Sequence, residues 1–146
     1  MQSVFGRCVY SIRKKLKMFI LKSINGGIAM KIREIKELLN IEPITCCDKL
    51  DEDIKYAFAS DLMSDVLALV DNEVVLITGL VNIQTIRTAE MKDIKWIVFV
   101  RGKIPDENVV QLAKQNDICL MCTRQIMFNT CGLLHNRGLR GAEINK

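Results

Sequence analysis

The sequence predicts an α/β fold, in which a mostly parallel sheet of about five strands alternates with helices in a single compact domain. Between residues 54 and 136, short and largely apolar runs alternate with longer stretches whose apolar positions repeat at helical spacing. Strands that are apolar throughout are typical of parallel sheets, because helices cover both faces. A chain of 146 residues with 49% apolar residues also suits one hydrophobic core.

The first predicted elements occupy the region up to residue 70. MKIREIKELLN, residues 30–40, spaces its isoleucines and leucines along one face and predicts a short amphipathic helix. EPITCC (42–47) is typical of a strand, and IKYAFAS (54–60) alternates weakly, which predicts a second strand. The apolar positions of DLMSDVLALV (61–70) return to helical spacing, so a helix follows.

Three further strands and three further helices share these two patterns. The strands are EVVLITG (73–79), KWIVFVRG (95–102) and ICLMCT (118–123), and the helices are NIQTIRTAEMKD (82–93), PDENVVQLAKQND (105–117) and QIMFNTCGLLHN (125–136). Favoured capping residues predict where helices begin, namely Ser60 or Asp61 for the second helix and Asn82 for the third. Pro105 is expected at the first position of the fourth helix, where its missing N–H costs nothing.

The net charge of +4 is unevenly distributed. Residues 1–29 hold six bases and no acid, whereas the rest of the chain holds 15 bases and 17 acids. Because the folded part lacks a basic footprint, we expect no nucleic-acid binding. No apolar run approaches the roughly 18 residues of a transmembrane segment. The six cysteines lie mostly in apolar runs, which favours a reducing, cytoplasmic location.

Gly26 and Gly27 mark a change of composition. We therefore divide the chain into a basic N-terminal extension, residues 1–29, and an α/β domain, residues 30–146. The extension is interpreted as the product of an upstream start codon, with Met30 as the functional beginning. A peripheral basic helix and an unrecognised signal are the alternatives, since its apolar segment is interrupted by lysines. We expect the domain to keep its stability without this extension.

Polar residues gather at the carboxyl ends of four successive predicted strands. In parallel sheets ligands bind at this edge, where loops converge and helix N-termini point. Because hydroxyls, glycines and three bases occur together there, we predict a site for a small anionic metabolite or nucleotide. The predicted ligand-binding residues are Ser60, Asp61, Thr78, Gly79, Asn82, Arg101, Gly102, Lys103, Thr123 and Arg124.

The predicted site has two walls. The amides that follow Gly79 form one, and Arg101, Lys103 and Arg124 form the other. Each residue also has a simpler interpretation. Asn82, and Ser60 or Asp61, are good helix caps. The glycines supply turn conformations, and the bases suit a solvated surface.

Motifs for catalysis and metal binding are absent or weak. The P-loop, G-x-G-x-x-G and G-x-S-x-G patterns are missing, so we expect no catalytic residue and no cofactor. Cys119 and Cys122 have C-x-x-C spacing but fall within a strand, where residues three apart face opposite sides, so we expect buried, metal-free thiols. Asp61 and Asp65 form a weak cation motif. The single histidine, His135, is expected to cap helix carbonyls.

Four segments together resemble small stand-alone DRTGG-domain proteins. They are YAFASDLMSDVLALV, VLITGLVNIQTIRTAEM, IVFVRGKIPDENVVQLA and GLLHNRGL, and the resemblance runs in order from about Met30 to Gly141. Related DRTGG domains are attached to phosphotransacetylases and to pyrophosphatases with CBS domains. Their fold is similar to the N-terminal domain of HPr kinase/phosphorylase. The resemblance implies a regulatory or ligand-sensing module without kinase activity, because the kinase's P-loop domain has no counterpart here.

This chain departs from the family's name-giving residues. The turn after Gly79 continues with Leu80 and Val81, and the later turn reads Val100-Arg101-Gly102, so no contact made by the family's Asp-Arg pair is carried over. The leading hypothesis is a non-enzymatic domain that binds a small anion or nucleotide and signals through homo-oligomerisation or a partner enzyme. A pure interaction module and a small enzyme that uses Asp61 and Arg101 are the alternatives.

Overall fold

The computed structural model describes residues 28–45, 48–71 and 73–144. Its strands are β1 (Met30–Lys31), β2 (Glu42–Pro43), β3 (Asp53–Ile54), β4 (Tyr56–Ala59), β5 (Val74–Thr78), β6 (Trp96–Phe99), β7 (Cys119–Cys122) and β8 (Arg140–Gly141). Its helices are α1 (Ile32–Leu38), α2 (Met63–Leu69), α3 (Ile83–Met91), α4 (Glu107–Gln115) and α5 (Met127–Asn136). Residues 1–27 of the predicted extension lie outside the described residues, as do Cys46 and Cys47.

The predicted α/β fold with a mostly parallel sheet is confirmed. Six strands pair in the order β2-β7-β6-β5-β4-β8. The run from β7 to β8 is parallel throughout, and β2 pairs antiparallel with β7. β1 and β3 form a separate two-stranded antiparallel ribbon.

Helices cover both faces of the sheet. Val66 of α2, Ile86 of α3 and Val109 of α4 share one buried cluster, while Ile35 of α1 and Leu134 of α5 share the other. The successive strands β4 to β7 advance in one direction, so right-handed crossovers place the three helices between them on the same face. The chain then reverses, because α5 returns from β7 to β8 beside β4. The loops after β6 and β7 therefore leave towards opposite faces.

The central strands supply the core because they are apolar on both faces. Every residue of β5 and of β6 is buried. Cys119 belongs to the cluster on the α1 and α5 side, whereas Cys122 packs against the opposite cluster. The two thiols diverge, as the strand period predicts, but Cys122 at the end of the strand is only partly buried, in contrast to the expectation. Among the described residues no helix is long and apolar enough to cross a membrane.

Two edge strands differ from the predictions. Of the described residues 42–45 in the strand expected at 42–47, only Glu42 and Pro43 form a strand, and it is antiparallel. Pro43 lacks a backbone donor, which suits an edge strand. Beyond it the Ile44 and Thr45 amides both donate to the Leu120 carbonyl, so the regular ladder ends there. β8 was not predicted, because Arg140 and Gly141 carry no apolar pattern. It pairs with β4 because α5 leads the chain back across the sheet to that edge.

Helix starts follow the predictions in part. Asn82 caps α3, and its side chain accepts a hydrogen bond from the Thr85 amide at 3.0 Å. The predicted cap of α2 is wrong. Leu62 occupies that position without a capping side chain, and the Ser60 hydroxyl accepts a hydrogen bond from the Leu62 amide instead.

Two smaller predictions about helix ends also need correction. Asp106 is the N-cap of α4 and accepts a hydrogen bond from the Val109 amide at 3.0 Å, so Pro105 precedes the helix instead of opening it. The exposed ring of His135 donates no hydrogen bond to a carbonyl of the described residues, so it does not act as the expected cap. Its own carbonyl accepts bonds at the end of α5.

Candidate functional site

Four residues at the carboxyl edge of the sheet form a hydrogen-bonded group, which we call the Gly79 cradle: Asp61, Thr78, Gly79 and Arg101. Oδ1 of Asp61 accepts hydrogen bonds from the Gly79 amide at 2.6 Å and the Thr78 hydroxyl at 3.1 Å. Nη2 of Arg101 lies 3.4 Å from Oδ2 of Asp61. The chain's own carboxylate thus occupies the position where an external anion was expected.

Glycine at position 79 allows this arrangement. A Cβ built on Gly79 would lie 1.9 Å from Nη2 of Arg101, so the guanidinium rests directly on the glycine backbone. The Thr78 hydroxyl also accepts a hydrogen bond from the Leu80 amide at 3.1 Å, which fixes the turn that follows β5. Nζ of Lys103 donates to the Gly79 carbonyl at 3.0 Å. Both polar groups of the Gly79 backbone therefore have partners.

A tight turn after β6 aims Arg101 at the cradle. Arg101 and Gly102 both have φ of 64°, and the Lys103 amide lies 3.4 Å from the Val100 carbonyl, as in a type I′ turn. Glycine adopts this conformation freely, whereas for arginine it costs on the order of 1 kcal/mol. The Arg101 amide donates to the Gln125 carbonyl at 2.8 Å, and this contact with the loop after β7 helps to hold the strained residue.

The electrostatics of the cradle favour an ionised carboxylate. Partial burial raises the pKa of Asp61. Hydrogen bonds from Gly79 and Thr78, together with the charge of Arg101, lower it by a larger amount, so the net pKa lies below its usual value. The side chains of Asp61 and Arg101 remain 46% and 45% exposed. Solvent therefore screens their ion pair, and the carboxylate is an acceptor rather than a general base at neutral pH.

A second region at the same edge is a cavity of about 580 Å³ at the end of β7, which we call the β7 cavity. Ligand pockets commonly enclose about 300–1,000 Å³. Its polar lining includes Asn40, Glu42, Arg124 and Gln125, and its apolar lining includes Ile104. The cavity lies where the loops after β6 and β7 diverge towards opposite faces, which is the usual position of ligands in open α/β sheets.

Polar side chains of the β7 cavity remain available. Among the described residues, the side chains of Asn40, Glu42, Arg124 and Gln125 form no hydrogen bond or ion pair with one another or with the rest of the fold. Thr123 differs from them, because it is buried and its hydroxyl donates to the Leu39 carbonyl at 3.0 Å. Among the described residues, the cavity thus combines one base, one acid and two amides whose side chains have no partner.

The thiol of Cys122 also lines the β7 cavity. It donates a hydrogen bond to the Lys103 carbonyl at 3.1 Å, and burial raises its pKa to about 11. A thiol with this pKa stays protonated at neutral pH and is a poor nucleophile or metal ligand. The part of the chain that the structure describes contains no group of three metal-ligating side chains.

The predicted site residues therefore separate into three groups. Asp61, Thr78, Gly79, Arg101 and Lys103 come together in or beside the Gly79 cradle. Gly102, Thr123 and Arg124 line the β7 cavity. Ser60 and Asn82 hold local turns and caps.

Sequence reasoning missed Asn40, Glu42 and Gln125. The first two belong to the connection between α1 and β2, which reaches the cavity only because β2 pairs with β7. The residue type of Asn40 is compatible with its unusual backbone conformation. Its φ of 49° is left-handed, a conformation that asparagine tolerates better than most residues.

An apolar groove of about 520 Å³ lies beside α5, on the face of the sheet near β4 and β8. Ala57, Ala59 and Leu134 form part of its lining. Phe128, in the first turn of α5, stands at the groove with 82% of its surface exposed. A large aromatic side chain next to an apolar depression is typical of an interaction surface.

Comparisons with known proteins support the fold. No protein-family model matches the chain, and no curated protein matches it in sequence. Among solved structures, the chain is similar to the CBS and DRTGG domains of the regulatory region of Clostridium perfringens pyrophosphatase, crystallised with its activator, diadenosine tetraphosphate. The TM-score is 0.60 at 15% identity, and the match covers 71% of this chain and 45% of that one. This likeness supports a DRTGG-like fold, and the chain spans less than half of its neighbour's length.

Proposed function

We propose that this chain is a regulatory, ligand-sensing domain that binds a small anionic metabolite or nucleotide in the β7 cavity. The observation that carries the proposal is the guanidinium of Arg124, which has no partner among the described residues and lies at a cavity where two strand-end loops diverge. A charged donor without a partner gains most from a phosphate or carboxylate, because the resulting hydrogen bonds are charge-assisted. Gly102 lies beside Arg124 and leaves the approach open, since it has no side chain.

The other lining residues suit a nucleotide or a similarly amphiphilic ligand. The amides of Asn40 and Gln125 offer both donors and acceptors, and Ile104, which is 79% exposed, offers an apolar contact. The structural neighbour in the pyrophosphatase is part of a regulatory region crystallised with a dinucleotide activator. This likeness supports the nucleotide class.

A regulatory role is favoured over catalysis. The lowered pKa of Asp61 makes it a weak base at neutral pH, and the raised pKa of Cys122 makes it a weak nucleophile. We further propose that the domain acts on a partner enzyme in the cytoplasm, because a ligand-sensing domain needs an output.

A thermal-shift screen of nucleotides and phosphorylated metabolites tests the proposal, followed by calorimetry on the best ligand. Arg124→Ala should weaken binding by about 1.5–3 kcal/mol, the range for hydrogen bonds to a charged group. Arg87→Ala is the matched control, because Arg87 is exposed on α3 and carries the same charge. Equal affinity in both variants would contradict the proposed site.

The apolar groove favours a second role, which is self-association. We propose that two copies meet through this surface, because Phe128 and the groove lie side by side. A two-fold axis would place the Phe128 of each copy in the groove of the other, so that one patch serves both partners. This interface uses different residues from the β7 cavity, so the two proposals are independent.

Light scattering on the purified chain tests the second role. We expect a dimer for the wild type and a monomer for Phe128→Ser. Met91→Ser provides the control, since Met91 on α3 is 73% exposed and lies away from the groove. A wild-type monomer at high concentration, or dissociation in both variants, would exclude the groove as the interface.

A further inference from the structure

The Gly79 cradle already holds an anion. A backbone amide, a hydroxyl and a guanidinium converge on the Asp61 carboxylate at 2.6, 3.1 and 3.4 Å. These are the donor types that proteins use for phosphate groups, because each points a positive dipole or charge at an oxygen. The cradle therefore has the chemistry of an oxyanion site that an internal carboxylate fills.

The charge balance leaves room for an external anion. The Gly79 turn is contacted by Arg101 and Lys103, so removal of the Asp61 carboxylate would leave two positive charges at the turn. Lys103 makes no ion pair with another described residue. A phosphate group carries more negative charge than a carboxylate and offers more acceptor oxygens, so it competes well for this position.

Asp61 is poised to leave. It lies on the short loop between β4 and α2, its side chain is nearly half exposed, and its ion pair with Arg101 is open to solvent. Exposed ion pairs contribute little to stability, because water screens them. Among the described residues, Asp61 makes the hydrogen bonds that join this loop to the Gly79 turn, whereas the Ser60 amide and hydroxyl bond the Ile77 carbonyl and the Leu62 amide.

We propose that the Gly79 cradle is a second anion subsite in which Asp61 acts as a built-in competitor for a phosphate group. When a phosphate enters, it takes the Gly79 amide, the Thr78 hydroxyl and Arg101, and Asp61 turns into solvent. The loop before α2 is then released, which couples ligand binding to the position of α2. This inference rests on the proposed ligand-sensing function and adds a mechanism by which the ligand changes the protein.

Calorimetry with inorganic phosphate and pyrophosphate on the full chain tests the subsite, at constant ionic strength. Asp61→Asn retains an acceptor for the Gly79 amide but removes the competing charge, so both anions should bind about tenfold more tightly than to the wild type. Asp65→Asn is the matched control, because Asp65 is an exposed acid four residues along the chain and outside the cradle. It should change affinity by less than about twofold. Adding Arg101→Ala to Asp61→Asn should abolish the gain.

A second measurement keeps the proposal falsifiable if Asp61→Asn folds poorly. In the wild type, NMR titration with phosphate should shift the Asp61 carboxyl and Gly79 amide signals together. Equal affinity of the wild type and Asp61→Asn, or an unshifted Asp61 carboxyl at saturation, would overturn the competitor role. That result would leave the proposed function standing if Arg124→Ala still weakened binding of the screened ligand. Failure of both variants to alter any binding would overturn both proposals.

Discussion

The Gly79 cradle and the β7 cavity lie at the same edge of one sheet, yet their polar groups are in opposite states. In the cradle, the Gly79 amide and carbonyl, the Thr78 hydroxyl and the Arg101 guanidinium all have partners within the chain. In the cavity, the side chains of Arg124 and Gln125 have none among the described residues. Position at a strand end therefore does not by itself make a polar group available. The donors that the fold leaves unpaired are the better candidates for binding a ligand.

Apart from the anion affinity that Asp61 is proposed to limit, changes in the cradle should mainly affect folding stability, whereas changes in the cavity should mainly affect binding. The Arg124→Ala variant tests whether a change in the cavity affects binding.

A highly reactive Cys122 would contradict a purely binding role for the β7 cavity, since a reactive thiol would make the cavity a candidate for catalysis. Because burial raises its pKa to about 11, its thiolate is scarce at neutral pH. We expect alkylation by iodoacetamide at pH 8 about a hundredfold slower than for an exposed cysteine. Peptide mass spectrometry over time measures the rate at this position. Labelling as fast as that of free cysteine would refute the assignment of the cavity as non-catalytic.

Thr78→Val should destabilise the fold by about 1–2 kcal/mol. The buried hydroxyl donates to Asp61 and accepts from the Leu80 amide, and valine keeps the shape but loses both bonds. Thr88→Val is a matched control on α3, because Thr88 is also buried and its hydroxyl has no partner among the described residues. Urea denaturation compares the two. A cost of the same size in both variants would mean that the cradle's bonds contribute nothing specific.

Asn82→Ala should cost about 1 kcal/mol, the typical value of a helix cap. Its side chain accepts a hydrogen bond from the Thr85 amide within the turn that follows the cradle. Ser60→Ala, two residues before the N-cap of α2, should cost less than about 0.5 kcal/mol, since the Ser60 hydroxyl bonds only Leu62 in its own exposed turn. Thermal unfolding of both variants measures the difference. The reverse ranking would show that Ser60 holds α2 after all.

The smallest expected effect concerns pH. The folded-state pKa of Asp61 lies below its usual value, so its contribution to stability is complete above the unfolded pKa of about 4 and is lost as pH falls through the folded pKa. Because the side chain is 46% exposed, the loss should stay below about 1 kcal/mol. Urea denaturation between pH 7 and pH 3 should show it in the wild type but not in Asp61→Asn. A wild type that gained stability relative to the variant in acid would reverse the sign.

Much of the fold was predictable because burial and capping are local. The apolar runs of β5 and β6 become fully buried strands, since only the centre of a parallel sheet hides both faces. The strand period correctly separates Cys119 from Cys122. The Asn82 cap followed in the same way from one residue and the turn after it.

The partners of the strand-end residues were decided only by the tertiary structure. The Gly79 amide donates to the carboxylate of Asp61, 18 residues earlier in the chain. Arg101, 40 residues after Asp61, donates to the same carboxylate. The antiparallel edge strand β2 carries Asn40 to the cavity beside Arg124. The sequence alone predicts the α/β alternation and the edge at which polar groups gather, because side-chain periodicity reflects burial. It could not determine which of those groups pair with each other, because that depends on strand order and on a left-handed turn at Arg101 that arginine does not specify locally.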